Sequence, residues 1–175
     1  MKVEVHEEIY RLMHPKLTFL LTSVDKAGTP NVMALAWATP LSEEPPLVGI
    51  AVGKDSLTAA NIKSTGEFVL NVATMELAKA TLLCGTRSGR KVDKFKSTNL
   101  TKQPAHRVNP PYIKECIGHI ECKVKDVIDA GECYLFIGEI LYACVDDTVF
   151  DEYWKDEANV LLHLGGSKFA TMRSR

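Results

Sequence analysis

The sequence predicts a mainly β fold: one antiparallel β-barrel domain over residues 1–175, with two or three short helices set between its strands. Three observations carry this. Apolar, β-branched runs of strand length recur along the chain, as in "LTFLLTSV", "LVGIAV", "EFVLNVA" and "CYLFIGEILYACV". Clusters of Gly, Pro and Asp punctuate them. Helical periodicity is confined to short stretches, and no internal repeat or low-complexity linker divides the chain.

In chain order, Ile9, Leu12 and Met13 lie at helical spacing between Glu7 and Met13, and His14-Pro15 ends that segment. "LTFLLTSV" and "NVMALAWAT" flank the turn Asp25-Lys26-Ala27-Gly28 and read as a hairpin. Pro45-Pro46 leads into the strand "LVGIAV". A helix starting near Ser56 should stop at Gly66, before "EFVLNVA". The helix "MELAKATLLC" puts Leu77, Ala80 and Cys84 on one face and should stop at Gly85. From there to Glu115 the chain is polar, basic and rich in Gly, Pro and Ser, which reads as a long functional loop. Beyond Ile117, Ile120, Cys122 and Val124 alternate with Glu121, Lys123 and Lys125, predicting a strand with one buried face and one wet face. Asp129-Ala130-Gly131 turns into "CYLFIGEILYACV", long and apolar enough for a central strand, with a bend at Gly138.

Composition narrows the function classes. With 46% hydrophobic and 25% charged residues the chain is of ordinary globular type. Its 21 basic and 22 acidic residues argue against general attraction to nucleic acid or to a membrane surface, so any anion must be held locally. No apolar run approaches the roughly 20 residues that cross a bilayer, and "MKVEVHEEIYRLMHP" has no signal-peptide core; the expected location is the cytoplasm. The five cysteines, at 84, 116, 122, 133 and 144, are scattered and read as reduced thiols. The histidines at 6, 14, 106, 119 and 163 show no metal-ligand spacing, and no P-loop, G-x-G-x-x-G or G-x-S-x-G motif occurs.

Two stretches point to a ligand. "KDSLTAANI" sets Lys54, Ser56, Thr58 and Asn61 around a helix N-terminus, where unpaired N–H groups and the helix dipole suit a phosphate; a simple helix cap is the alternative. In "NVMALAWAT" strand alternation puts Ala34, Ala36 and Ala38 on one face, against Met33, Leu35 and Trp37 on the other. Such a face admits either a flat ring against the backbone or a closely packed helix.

In order along the chain, "TSVDKAGTPNVMALAWATPLSEEPPLVGIAV", "KDSLTAANIKSTGEFVLNV", "VDKF", "IECKV", "YLFIGEI" and "HLGG" resemble the flavin reductase-like family, the FMN-binding split barrels that include flavoredoxins and archaeal ferric reductase-like proteins. The resemblance spans roughly Pro15 to Phe169. It implies a six-stranded Greek-key barrel, usually a homodimer, with non-covalent FMN near the subunit interface. On this chain Asn31, Met33, Ala34, Leu35, Ala36 and Trp37 would line the flavin ring, and Lys54, Ser56, Thr58 and Asn61 would hold the phosphate. Asn71, Cys84, Gly85 and Lys94 would flank the ribityl chain or ring, with Lys94 stabilising the reduced flavin. His163 and Gly165 would shape the nicotinamide side. Phe169 stands where the family often has a tyrosine, and it brings no hydroxyl. No residue is assigned as general acid or nucleophile, because the flavin carries the chemistry. The implied activity is NAD(P)H-dependent reduction of flavin, ferric complexes or a small acceptor through FMN. The alternative is an FMN-binding electron carrier reduced by a partner protein.

Overall fold

The computed structural model describes residues 1–172. A 3₁₀ turn at Ile9–Met13 replaces the expected N-terminal helix, and it buries none of its residues. Strands β1 (Lys16–Leu17), β2 (Phe19–Val24), β3 (Pro30–Leu35), β4 (Ala38–Ser42) and β5 (Leu47–Gly53) follow. Helix α1 (Leu57–Thr65) precedes β6 (Glu67–Val72), and helix α2 (Ala78–Thr86) follows it. Next come α3 (Lys94–Thr98), β7 (Lys102–Gln103) and β8 (Tyr112–Ile113). The chain then runs through β9 (Gly118–Ala130), β10 (Cys133–Val145), β11 (Phe150–Asp151), β12 (Tyr153–Trp154), β13 (Leu162–Gly165) and β14 (Lys168–Ala170).

The main sheet is antiparallel in the order β3-β2-β6-β9-β10-β5-β4. Its two edges, β3 and β4, are consecutive in sequence and separated only by Ala36-Trp37. The chain itself therefore joins one edge to the other. Counted with β3 and β4 as one interrupted strand, this is a six-stranded barrel split at Ala36-Trp37. The break corrects the simple alternation expected along "NVMALAWAT": Leu35 is buried in the barrel core, and Ala38, now in β4 and paired with Ile50 of β5, packs against the same core.

Local chemistry explains the turns and helix ends. Asp25 Oδ1 accepts from the N–H groups of Ala27 (2.9 Å) and Thr29 (2.8 Å), which closes the β2–β3 turn where Gly28 takes a φ of 82°. Ser56 Oγ accepts from the Ala59 N–H at 3.0 Å, capping α1, and Gly66 ends the helix in the left-handed region at φ 73°. Helix α2 continues through Gly85, where the sequence suggested a stop. A Cβ at Gly85 would lie 3.2 Å from the Ala34 Cβ, so the glycine lets the helix approach β3.

Inside the barrel Phe68, Leu70, Ile50, Val52 and Phe136 are fully or almost fully buried. A register shift between Ile137 and Gly138 bends the β9–β10 pairing beneath the Phe68 ring. A Cβ at Gly138 would sit 2.6 Å from Phe68 Cζ, and the buried ring has nowhere to retreat. Gly138→Ala is expected to cost about 1–3 kcal/mol by overpacking, measurable as a lower urea midpoint with an unchanged slope.

Two further expectations fail. The segment after Gly85 is not all loop, since it holds α3, capped by Asp93, and the β7–β8 pair; both are too short to show periodicity. Glu121, expected on a wet face, is 0% exposed. Its carboxylate accepts from the N–H groups of His106 (2.8 Å), Arg107 (2.6 Å) and Val108 (3.1 Å), and from the Tyr112 hydroxyl. The return leg of the long connection covers that face and turns the carboxylate into its anchor.

Candidate functional site

Three adjoining cavities run along β3, under α1, α2 and the segment that leads into α3. The first, about 210 Å³, has apolar walls from Ala34, Leu35, Ala36, Leu82 and Phe169. Thr18, Thr81 and His163 add polar groups to it. The second, about 250 Å³, shares Gly85 and Thr86 with the first and is polar: Asn31, Ser56, Thr58, Arg87, Ser88 and Lys94 face it. The third, about 540 Å³, shares Asn31, Leu57, Gly89 and Lys94 with the second and opens among Arg90, Lys91, Lys96 and Lys102. The shared residues make one cleft, apolar at one end and cationic at the other.

Each wall follows from local structure. In the first cavity, the close approach of α2 to Ala34 means that the small-residue face serves both a packed helix and a slot beside it. The hydroxyl oxygens of Thr18 and Thr81 and the His163 Nδ1 are buried with no hydrogen-bond partner. Pairing of β1 with β13 sets His163 opposite Lys16, and the ring stands 5.6 Å from Phe169 and 5.1 Å from His14. Its Nε2 lies 3.0 Å from the Gly166 carbonyl.

In the second cavity, Asn31 Nδ2 donates to Thr58 Oγ1 at 2.8 Å, which leaves the Thr58 hydroxyl hydrogen free to donate in turn. Ser56 Oγ is likewise used as an acceptor, by Ala59. The N–H groups of Leu57 and Thr58, in the first turn of α1, have no intrahelical carbonyl to reach. Gly89 packs directly on Asn31: a Cβ there would overlap the Asn31 amide oxygen.

Lys94 is the dominant charge. It is 7% exposed, its Nζ donates to the Cys84 carbonyl at 2.7 Å, and no carboxylate pairs with it among the described residues. Burial pulls its pKa below the ordinary lysine value, against the opposing influence of Cys84. Burial also pushes the Cys84 thiol up to about 11, so at neutral pH Cys84 is a thiol that cannot neutralise the ammonium.

The cleft thus gathers Asn31, Met33, Ala34, Leu35, Ala36, Ser56, Thr58, Asn61, Cys84, Gly85, Lys94 and His163. Four expected residues are not brought to it. Lys54 turns away to Asp129, with both carboxylate oxygens 2.7 Å from its Nζ, because the β9–β10 hairpin ends beside it. Asn71 is buried in the barrel wall: its Nδ2 donates to the Leu20 carbonyl at 2.8 Å, and its Oδ1 accepts from the Ile113 N–H and the His119 Nδ1. Trp37 falls within the strand break and lies against Tyr10, with ring centroids 5.5 Å apart. Gly165 is buried against the Arg11 side chain, and its neighbour Gly166 lines the first cavity instead. Thr18 and Thr81 carried no sequence signal, since a lone threonine in an apolar run reads as core. Arg87, Ser88 and Gly89 were visible only as part of a basic, flexible-looking stretch.

A model of the flavin reductase-like domain matches residues 10–169, and the chain belongs to that family. An uncharacterized protein of Archaeoglobus fulgidus is 38% identical over 164 residues, covering 93% of this chain and 91% of its own length. Flavoredoxin of Desulfovibrio vulgaris (Miyazaki F) has the same fold at a TM-score of 0.89 and 27% identity, with 100% of this chain and 95% of that one covered. A split-barrel protein of Shewanella frigidimarina, at 21% identity and a TM-score of 0.88 over 95% of this chain and 87% of that one, shares the fold alone.

Proposed function

We propose that the cleft binds FMN without a covalent bond and that the protein is an oxidoreductase working through it, with NAD(P)H as the electron donor. The observation that carries this reading is Lys94: a buried ammonium without a counter-charge, at the centre of a cleft whose other end is an apolar slot. The residues fit the group. A flat heterocycle suits the narrow walls of Ala34, Ala36 and Leu82, and a phosphate suits Lys94, Arg87, Ser88, the free Thr58 hydroxyl and the first turn of α1. Asn31 and Met33 lie between the two. Lys94 lines the polar cavities and not the apolar slot, which favours the phosphate over the ring as its partner.

FMN supplies hydride and single-electron chemistry, so the protein need bring no nucleophile. Its own residues bind, orient and exclude water. Leu35, Leu82 and Phe169 keep the slot apolar, and His163, held through its Nε2 to the Gly166 carbonyl, adds a polar group to its wall. The apolar side chains left exposed at Ile9, Leu12, Met13 and Trp37 support a homodimer.

The experiment is to mix the purified protein with FMN under anaerobic conditions and add NADH or NADPH. The expected result is rapid bleaching of the flavin absorbance with at least one nucleotide. Bleaching with neither would overturn NAD(P)H as the donor.

A further inference from the structure

A fourth cavity, of about 290 Å³, shares no lining residue with the cleft. It lies where β6 ends at Val72, β9 begins at Gly118 and β10 ends at Val145, so it forms one mouth of the barrel. Val72, Ile120, Ala143 and Val145 supply the strand walls. Phe150 and Trp154, paired across β11 and β12 with ring centroids 5.0 Å apart, complete the lining. Val145 is 39% exposed, Ala143 is exposed and both rings are half-buried, which leaves an apolar surface open to solvent.

The chain that rims this mouth is acidic. Between residues 146 and 157 it carries Asp146, Asp147, Asp151, Glu152, Asp156 and Glu157, all exposed, against the single cation Lys155. The acids flank the apolar residues closely in the chain: Asp146 follows Val145, Asp151 follows Phe150, and Glu152 and Asp156 lie two residues either side of Trp154. Lys155 does not neutralise them, because its Nζ donates to the carbonyls of Asp147 (3.4 Å) and Thr148 (3.1 Å). Asp146 Oδ1 accepts from the N–H (3.0 Å) and hydroxyl (2.6 Å) of Thr148, which helps to fix the loop. No ion pair involves Asp147, Asp151, Glu152 or Glu157 among the described residues. Tyr153, 77% exposed, stands in the same segment.

An apolar, aromatic pocket bordered by unpaired charges of one sign has the layout of a protein docking site: the pocket excludes water around an anchor, and the rim selects the partner. The sign of the charge decides between occupants. A second copy docked through the same face would set these acids against their own counterparts across the two-fold axis. Nucleic acid and anionic membrane surfaces are repelled for the same reason. Lys and Arg side chains suit the rim, Tyr153 adds an aromatic ring beside which a cation is favoured, and the mouth has room for one large apolar side chain. We infer that this mouth docks a basic protein segment that anchors itself by one apolar side chain against Phe150 and Trp154. The docking site stands whether or not the cleft holds flavin.

The probe is the peptide acetyl-KKRKFKRKK-amide, titrated calorimetrically into the full-length protein at low salt beside the same peptide with glycine in place of its phenylalanine. One phenylalanine peptide is expected to bind per chain, at least tenfold more tightly than the glycine peptide, and to weaken as salt is raised. The charge reversal Asp147→Lys/Asp151→Lys and, separately, Ala143→Phe, which fills the mouth from an exposed position, are each expected to weaken it at least tenfold while leaving the circular dichroism of the folded protein unchanged. The charge reversal lies wholly in exposed residues, so it reads the rim even where a filled mouth disturbs folding. No binding of the phenylalanine peptide, equal affinity for the two peptides, or unaltered binding by either folded variant would overturn the inference. So would self-association of the wild-type protein that these variants abolish, because a second copy would then occupy the mouth.

Discussion

Replacing Lys94 with methionine is expected to weaken FMN binding by roughly 10- to 100-fold and to leave riboflavin affinity nearly unchanged. The magnitude follows from losing a charge-assisted hydrogen bond of about 1.5–3 kcal/mol to the phosphate. Methionine keeps the length and apolar stem of the side chain, and removing a buried unpaired charge should not destabilise the fold much. Flavin fluorescence titrations of FMN and riboflavin, side by side, separate loss of the charge from collapse of the site. pH gives a second handle. Only the protonated amine attracts the phosphate, and burial has moved the Lys94 pKa below the ordinary lysine value of 10.5. FMN affinity should therefore fall with rising pH before an exposed lysine would lose its proton, and Lys94→Met should be flat over the same range.

The second large effect lies outside the cleft. Glu121→Ala is expected to cost about 3–5 kcal/mol of stability, because it removes the shared acceptor of the buried Val108 N–H, the Tyr112 hydroxyl and the N–H groups of His106 and Arg107. Glu121→Gln, which keeps acceptor capacity, should cost less. Burial pushes the Glu121 pKa up, but the Tyr112 hydroxyl and the three N–H groups outweigh it and hold it below the ordinary 4.5. The neighbouring His119, stacked on Tyr112 at 4.2 Å, is pushed down to about 4 by burial, against an ordinary 6.5. Both shifts act in the same direction. In each case the unfolded chain binds the proton more tightly, so stability falls as pH drops: first between about 6.5 and 4 for His119, then below 4.5 for Glu121. Denaturation midpoints measured from pH 7 to pH 3.5 should show this loss, and the part below 4.5 should shrink in Glu121→Gln.

What could be read in advance was what local chemistry determines. Ser56 as a cap, Gly66 as a stop, the Asp25 turn and the bend at Gly138 each follow from a residue and its near neighbours in the chain. Several departures from the sequence reading involve partners distant in sequence. Lys54 looked like a phosphate ligand until the β9–β10 hairpin brought Asp129 to it from 75 residues away. Glu121 looked solvated because nothing local shows that residues 106–108 return to cover it. Asn71, expected beside the ribityl chain or ring, instead spends its amide on Leu20, Ile113 and His119. Lys94 shows the limit from the other side. The motif "VDKF" marked it as important, but only the fold shows that it is buried, held to Cys84, and without a counter-charge.

The central claim is that this cleft holds FMN with its phosphate at Lys94, Thr58 and the first turn of α1. One titration tests it most directly: FMN and riboflavin added separately to flavin-free protein, with binding followed by quenching of flavin fluorescence. One FMN per chain, bound at least tenfold more tightly than riboflavin, is the predicted result. Equal affinity for the two, or no binding of either, would contradict it.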